Sequence, residues 1–283
     1  MKKVLITLFA LALAVLIAVP AVAVPPILAG NAAIERTLPD LRTNFYLVDT
    51  NRPFAFDCAV TGWNIFADAS VPVGFMVYRL TGSTWSVVYD GSGTADLKIP
   101  AVGLNSYSFS SPILVKAGDY VGLYSGSGAG AVSFDWGGSN IHYTFAGGGP
   151  LDWDNVSPRT YSVNAVGVNY GISGLLSPYA APPKTFKIGS VIPLKWQYSL
   201  LESVVDSSAS NPSVEIKLIA AGGSGNETPI EVNDPGSSGL RYDSLTMTWQ
   251  FNWQTKGLTA GVYNIYIQSD QFGPSGPFPI QLR

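Results

Sequence analysis

Short apolar segments with a two-residue period, each closed by a glycine-containing turn, recur along most of this chain. Residues 60–66, for example, alternate between two faces, as expected of a β-strand. The turns at residues 81–83 and 90–93 both contain glycine, which tolerates positive φ and suits a hairpin. Beyond the first 23 residues we find no helical period over about ten residues. We therefore expect an all-β protein.

About nine such strands follow one another between residues 45 and 168. Regularly spaced short strands without helices between them are typical of an antiparallel sandwich. We predict that residues 31–170 form a jelly-roll-like antiparallel β-sandwich. The chain has 283 residues, of which 47% are apolar, so it can supply a second core as well.

A second domain is predicted at residues 184–283, after a linker rich in Pro, Gly and Ser at residues 171–183. Four large apolar residues with a period of two point to one face of a strand: Ile192, Leu194, Trp196 and Tyr198. Pro193 cannot donate to a strand ladder, so this strand is expected at a sheet edge. Later in the domain five more apolar residues are predicted to share one face: Leu245, Met247, Trp249, Phe251 and Trp253.

Residues 258–263, LTAGVY, have the form of a tyrosine corner, in which the Tyr263 hydroxyl returns to upstream backbone. This turn predicts a small immunoglobulin-like sandwich. Residues 183–196, PKTFKIGSVIPLKW, are similar to the signature of the PxKF-type domain of bacterial secreted proteins. That resemblance implies an accessory, surface-exposed module rather than a catalyst. Trp196 stands where the family usually has Phe, which keeps a large apolar group in the core.

The first domain resembles the jelly-roll lectin-like modules of secreted bacterial proteins. The resemblance is loose and rests on residues 62–67, 73–79 and 113–124. It implies a surface role or contact with glycans.

The amino terminus has the composition of a secretory signal peptide. Lys2 and Lys3 precede an uncharged run from Val4 to Val19, and Ala21-Val22-Ala23 offers a small-residue cleavage site. Residues 1–23 are therefore expected to be removed, the alternative being an uncleaved anchor. No other apolar run is long enough to span a membrane. We expect a secreted protein that is extracellular or located at the cell surface.

The charges argue against several partners. There are 16 basic and 19 acidic residues, and the basic ones are scattered singly. This pattern excludes neither a glycan nor a protein, but it disfavours nucleic acid and anionic lipid surfaces. Cys58 is the single cysteine, so no intrachain disulfide forms, and its apolar surroundings predict a buried thiol.

The loop at residues 147–155 is the most suggestive surface feature. Asp152, Asp154 and Asn155 place oxygen ligands close together, so Ca²⁺ is the one ion that we consider here. Trp153 between the two carboxylates would suit stacking on a sugar ring. An ordinary acidic connection with a packed Trp is the alternative. Three aromatic residues in neighbouring segments would complete a ligand-binding platform or, as strand residues, belong to the core: Trp136, Tyr143 and Tyr161.

Catalytic motifs are scarce. His142 is the sole histidine and no Gly-x-Ser-x-Gly sequence occurs, which disfavours a serine hydrolase. With one Cys and one His, zinc is disfavoured as well, and a Cys58–His142 pair lacks a recognisable local signature. Carboxylates such as Asp135, Asp152 or Asp154 leave a glycosidase or lyase as the one enzyme class to consider. We expect no enzyme activity, and no cofactor apart from the Ca²⁺ considered above.

Together these features predict a secreted, non-enzymatic protein that binds a surface polysaccharide through its first domain, with the second domain as a support. A structural surface or matrix protein that self-associates into a homo-oligomer is the alternative. A polysaccharide-cleaving enzyme is the third and weakest candidate.

Overall fold

The computed structural model describes residues 26–144, 149–153, 155–179, 184–219, 226–232 and 239–283. The predicted signal peptide, residues 1–23, lies outside the described residues. The first unit contains β1 Ile27–Gly30, β2 Leu38–Pro39, β3 Phe45–Val48, β4 Cys58–Ala67, β5 Val73–Thr81, β6 Thr84–Asp90, β7 Gly103–Val115, β8 Tyr120–Ser125, β9 Ser133–Tyr143, β10 Asn155–Tyr161 and β11 Val163–Asn169. The second contains β12 Lys184–Phe186, β13 Val191–Trp196, β14 Ser199–Leu200, β15 Ser203–Val204, β16 Ser213–Ile219, β17 Glu227–Ile230, β18 Arg241–Asp243, β19 Thr248–Gln254, β20 Gly261–Gln268 and β21 Ser275–Leu282, with a 3-10 turn at Ser208–Ser210.

Two antiparallel sheets face each other in the first unit. One has the order β1-β11-β4-β7, and the other has the order β10-β9-β3-β8-β5-β6, with β2 beside β9. Without the β9–β10 hairpin and β2, four strands lie in each sheet, as in an eight-stranded jelly roll. The prediction of an all-β, jelly-roll-like sandwich is confirmed.

Alternation along the strands places the core between the two sheets. The largest buried members of this core include Phe45, Trp63, Phe75 and Tyr161. One strand of this unit, β7, is unusually long at 13 residues, and its pairing with β4 contains a register shift.

The second unit is a smaller sandwich. One sheet has the order β12-β21-β20-β16-β17 and the other β13-β19-β18. The Tyr263 hydroxyl donates to the Thr259 carbonyl over 2.8 Å, which confirms the predicted tyrosine corner. This turn and the two facing sheets give the immunoglobulin-like sandwich that was expected.

The edge strand β13 agrees with the sequence pattern. Ile192, Leu194 and Trp196 are buried, and so is Tyr198 just beyond the strand. Among the described residues β13 pairs with β19 alone, so Pro193 lies at a sheet edge as predicted.

The expected five-residue face of β19 was partly wrong. Trp249, Phe251 and Trp253 are buried, but Leu245 is 95% exposed and Met247 lies at positive φ. The cause is a turn in which Asp243 accepts hydrogen bonds from the Leu245 amide at 3.0 Å and from the Thr246 hydroxyl at 2.9 Å. This turn delays the start of the strand to Thr248.

The segment predicted as a linker packs against the second core where it is described. Ile172, Leu175 and Tyr179 contact that core, and Tyr170 stacks on Phe272 with ring centroids 4.3 Å apart. Residues 180–183 lie outside the described residues, and the domain bounds themselves stay a prediction. In the part of the chain that the structure describes, we find no helix with the length and apolarity to cross a membrane.

Candidate functional site

The outer face of the seven-stranded sheet carries aromatic side chains instead of the polar residues usual on the outside of a sandwich. Val48, Met76 and Tyr78 form a small buried cluster on this side. Larger, partly buried rings pack around it. We define the aromatic face as the five residues Tyr78, Trp85, Tyr120, His142 and Trp153.

Trp85 lies at the centre of the aromatic face. Its ring centroid is 5.4 Å from that of Tyr120, 5.4 Å from that of His142 and 6.2 Å from that of Trp153. Trp153 also contacts Tyr78 edge-on at 5.2 Å. In edge-on contacts the ring planes are steeply inclined to one another, so the rings of the aromatic face do not lie in one plane.

Four strands and one loop hold the rings in place. Tyr78 comes from β5, Trp85 from β6, Tyr120 from β8 and His142 from β9, whereas Trp153 follows β9 in the next loop. Gly122 lies beneath them on β8, where a Cβ atom would collide with the Tyr78 ring and the Leu47 carbonyl. A glycine is therefore required for Tyr78 to lie flat against the sheet.

Two hydrogen-bond donors of the aromatic face have no partner among the described residues: the Trp153 indole N–H and the Tyr78 hydroxyl. Buried polar groups normally find a partner. Burial also raises the pKa of Tyr78 and lowers the pKa of His142, so both are neutral near pH 7. The aromatic face is therefore uncharged near pH 7, and these two donors are buried beneath its partly exposed rings.

Trp85, Tyr120 and His142 were not predicted as residues of a binding site. A usable signal was present in β3, β5 and β8, where both faces of the strand are apolar or aromatic, as in FYLV at residues 45–48. A strand with one wet face should alternate with polar residues. The departure from alternation indicates that the outer face of this sheet is not simply exposed to solvent but packs against other side chains or binds a ligand.

The other three predicted aromatic residues lie apart from Trp153, around Arg159. The Arg159 guanidinium carbon is 5.0 Å from the centre of the Trp136 ring and 5.2 Å from that of Tyr143. The Tyr161 hydroxyl accepts a hydrogen bond from Arg159 at 3.0 Å and donates to Asp40 at 2.6 Å. The structure thus divides the four predicted residues between two places.

Burial corrects two of these assignments. Tyr161 is fully buried and Tyr143 is 6% exposed, so they support the sandwich from inside and offer no ring face to a ligand. Both side chains point inward because Arg159 and Asp40 form a buried ion pair at 2.9 Å that they surround. Trp136, in contrast, is 61% exposed, and it lies beside Arg159 rather than on the aromatic face.

The predicted calcium loop is described only in part. The Asp152 carboxylate accepts a hydrogen bond from the Gly149 amide at 2.7 Å, and Asn155 begins β10. Asp154 lies outside the described residues. The described residues contain no group of three His, Cys, Asp or Glu side chains placed to hold a metal, so calcium binding stays a prediction.

The environments of Cys58 and Asp135 do not favour the catalytic roles considered for these residues. Cys58 is buried in β4, and burial raises the pKa of its thiol to about 12, which disfavours a thiolate nucleophile. Hydrogen bonds from Thr37 and Arg36 lower the pKa of Asp135, whereas a general acid needs a raised one.

The chain matches no model of a known protein family and no curated protein. Three solved structures show a distant likeness. Fibronectin(III)-like modules of Clostridium thermocellum CbhA share 14% identity over 84% of this chain and 92% of theirs, with a TM-score of 0.23. Extracellular domains 3–5 of Drosophila OTK share 10% identity over 87% and 99%, with a TM-score of 0.22. The three N-terminal domains of the bacteriophage RB49 capsid protein Hoc share 11% over 87% and 98%, also with a TM-score of 0.22. At these TM-scores the likeness says nothing about function.

Proposed function

We propose that this protein is a secreted, non-enzymatic cell-surface or extracellular protein that binds a polysaccharide at its aromatic face. The observation that carries the proposal is the cluster of partly exposed Trp85, Trp153 and Tyr120 rings on a sheet face that is normally polar. Rings of this kind stack on the CH groups of sugars.

The remaining features support this role. The signal-like residues 1–23 direct the chain out of the cell. The second unit, with its PxKF-like signature, supports the first or spaces it from a surface. Asp135, one of the carboxylates considered for catalysis, forms an ion pair with Arg36 at 2.9 Å, which is a structural use rather than a catalytic one.

Affinity electrophoresis of the full secreted chain in gels that contain neutral polysaccharides tests the proposal. We expect retardation by at least one polymer, and about a tenfold loss of affinity in Trp85→Ala and in Trp153→Ala. Trp136→Ala is the matched control, because Trp136 is an exposed tryptophan outside the aromatic face. Failure of every polymer to retard the protein, or equal behaviour of all three variants, would contradict the assignment.

The same assay addresses calcium. Asp152 and Asn155 flank the Trp153 segment, so an ion in this loop would order the ring. Loss of retardation on addition of EDTA would assign Ca²⁺ to the loop, whereas unchanged retardation would remove calcium from the proposal. Release of reducing ends from the retarding polymer, lost in Asp152→Asn, would replace a binding function with an enzymatic one.

Self-association is the second candidate, because an apolar outer face also suits contact with another copy of the chain. Light scattering distinguishes the two. A dimer or larger assembly that Trp85→Ala converts to a monomer would assign the aromatic face to self-association, and a monomeric wild type would exclude this use.

A further inference from the structure

A second surface with binding chemistry lies in the other unit, on the outer face of the three-stranded sheet. The groove has a volume of about 520 Å³ and runs beneath the segment that contains Leu176. A hydrogen bond from the Leu176 amide to the Lys195 carbonyl at 2.8 Å fixes this segment at the rim. None of its lining residues belongs to the aromatic face.

Strand register lines up two cations across the floor of this groove. Lys195 on β13 pairs with Gln250 on β19, and Gln250 pairs in turn with Arg241 on β18. Directly paired residues of neighbouring strands point to the same side of a sheet. We call these three residues the cationic row. Strands lie about 4.8 Å apart, so the two cationic residues stand roughly 10 Å apart at their Cα atoms. Both side chains are long enough to converge above Gln250.

Neither cation has an acidic partner among the described residues. Every ion pair found there involves other basic groups, those of Arg36, Arg42, Arg79, Arg159 and Lys217. Of the described residues that line the groove, Asp243 is the one acid. Its two oxygens already accept hydrogen bonds from the Leu245 amide and the Thr246 hydroxyl, at 3.0 and 2.9 Å. The groove therefore sets two cations against one carboxylate, and a bound anion would offset the positive charge that remains.

The other lining residues are uncharged, and all of them except Leu176 have a side chain that can form hydrogen bonds. Gln250, Thr248 and Thr246 supply amide and hydroxyl groups next to the two cations. Such groups match the hydroxyls of a sugar, whereas the cations match a carboxylate. We propose that the groove binds a sugar acid, namely a uronic acid residue of an acidic polysaccharide. The identification of a polymer rests on the proposed function, whereas anion binding in the groove does not.

Isothermal titration of the full chain with an oligouronide, and with a neutral oligosaccharide of equal length, tests this inference. We expect the oligouronide to bind with a stoichiometry of one in the groove. Lys195→Gln and Arg241→Gln should each lower its affinity by about tenfold. Lys187→Gln is the control, because Lys187 is an exposed lysine of the same unit outside the groove. No oligouronide binding, or equal binding by all three variants, would overturn the inference.

Two further arms separate the alternatives. Inorganic phosphate or sulfate that binds as tightly as the oligouronide would overturn the assignment to a sugar acid. Trp85→Ala should leave oligouronide binding in the groove unchanged, whereas it should lower the affinity for the neutral polymer. If the wild-type protein binds the oligouronide but no neutral polymer, the proposed function has failed. If it binds a neutral polymer but not the oligouronide, the inference about the groove has failed.

Discussion

Asp57 is joined to Gln271 by two hydrogen bonds, although 214 residues separate them in the sequence. The Asp57 amide donates to the Gln271 carbonyl at 2.9 Å, and the Gln271 side-chain amide donates to the Asp57 carboxylate at 2.9 Å. The other carboxylate oxygen accepts from the Ala117 amide at 2.9 Å. One aspartate in front of β4 therefore connects a hairpin of the first unit to a loop of the second.

Replacement of Asp57 should cost more stability than replacement of its partner. Asp57→Ala leaves two donors without an acceptor and should lower the free energy of unfolding by about 1.5–3 kcal/mol. Gln271→Ala removes one bond and should cost about 1 kcal/mol. Urea denaturation measures both, with Leu245→Ala as a control at a 95% exposed position. Equal losses in the Asp57 and Gln271 variants would show that the second bond of the Asp57 carboxylate has no energetic role.

The buried ion pair of Asp40 and Arg159 gives a second prediction. Removal of one partner leaves a buried charge alone, so Asp40→Ala should destabilise by about 3–5 kcal/mol. The double variant Asp40→Ala, Arg159→Met should recover much of this loss, because no buried charge is then left unpaired. Arg42, the other partner of Asp40 at 3.2 Å, is partly exposed to solvent. Glu215→Ala removes an exposed pair with Lys217 and should cost less than about 1 kcal/mol. A double variant as unstable as the single one would contradict the ion-pair explanation.

The Cys58 thiol should be unreactive in the native protein. Burial raises the pKa of its thiol to about 12, so almost no thiolate is present at pH 8. A thiol reagent such as DTNB should react with the protein only after denaturation. Stoichiometric labelling of the native protein within minutes would show instead that the residue is exposed and reactive.

His142 should make the protein less stable in acid. Burial lowers the pKa of His142 below its ordinary value of 6.5, so the unfolded chain binds this proton more readily than the folded one. Stability is therefore unaffected above pH 6.5 and is lost as the pH falls from 6.5 through the folded pKa. Burial raises the pKa of Asp49, which acts in the opposite direction, because the folded protein then binds that proton more readily.

Comparison with a variant isolates the contribution of His142. We expect the melting temperature of His142→Gln to fall less than that of the wild type between about pH 8 and pH 5. Parallel pH profiles of the two proteins would exclude a role for His142 in acid stability.

Features set by neighbours in the sequence were predictable. The buried face of β13 and the Tyr263 corner follow from alternation and a six-residue turn pattern. The aromatic face was not predictable, because Trp85 and Trp153 are brought together only by the pairing order of β6, β5, β8, β3 and β9. The partner of Arg159 was hidden for the same reason, since Asp40 lies 119 residues earlier. Leu245 was misplaced because the Asp243 turn outweighs the apolar alternation around it.

Both sandwiches are closed by their first and last strands. Ile27 on β1 pairs with Val166 on β11, and Lys184 on β12 pairs with Ile280 on β21. During synthesis the first sandwich can therefore complete its sheets while much of the second is still being made. The second cannot close until β21 has been made, and long-range closure of this kind is slow. Gln271 lies just before β21, so its hydrogen bonds to Asp57 can form only after all the strands of the first unit have been made.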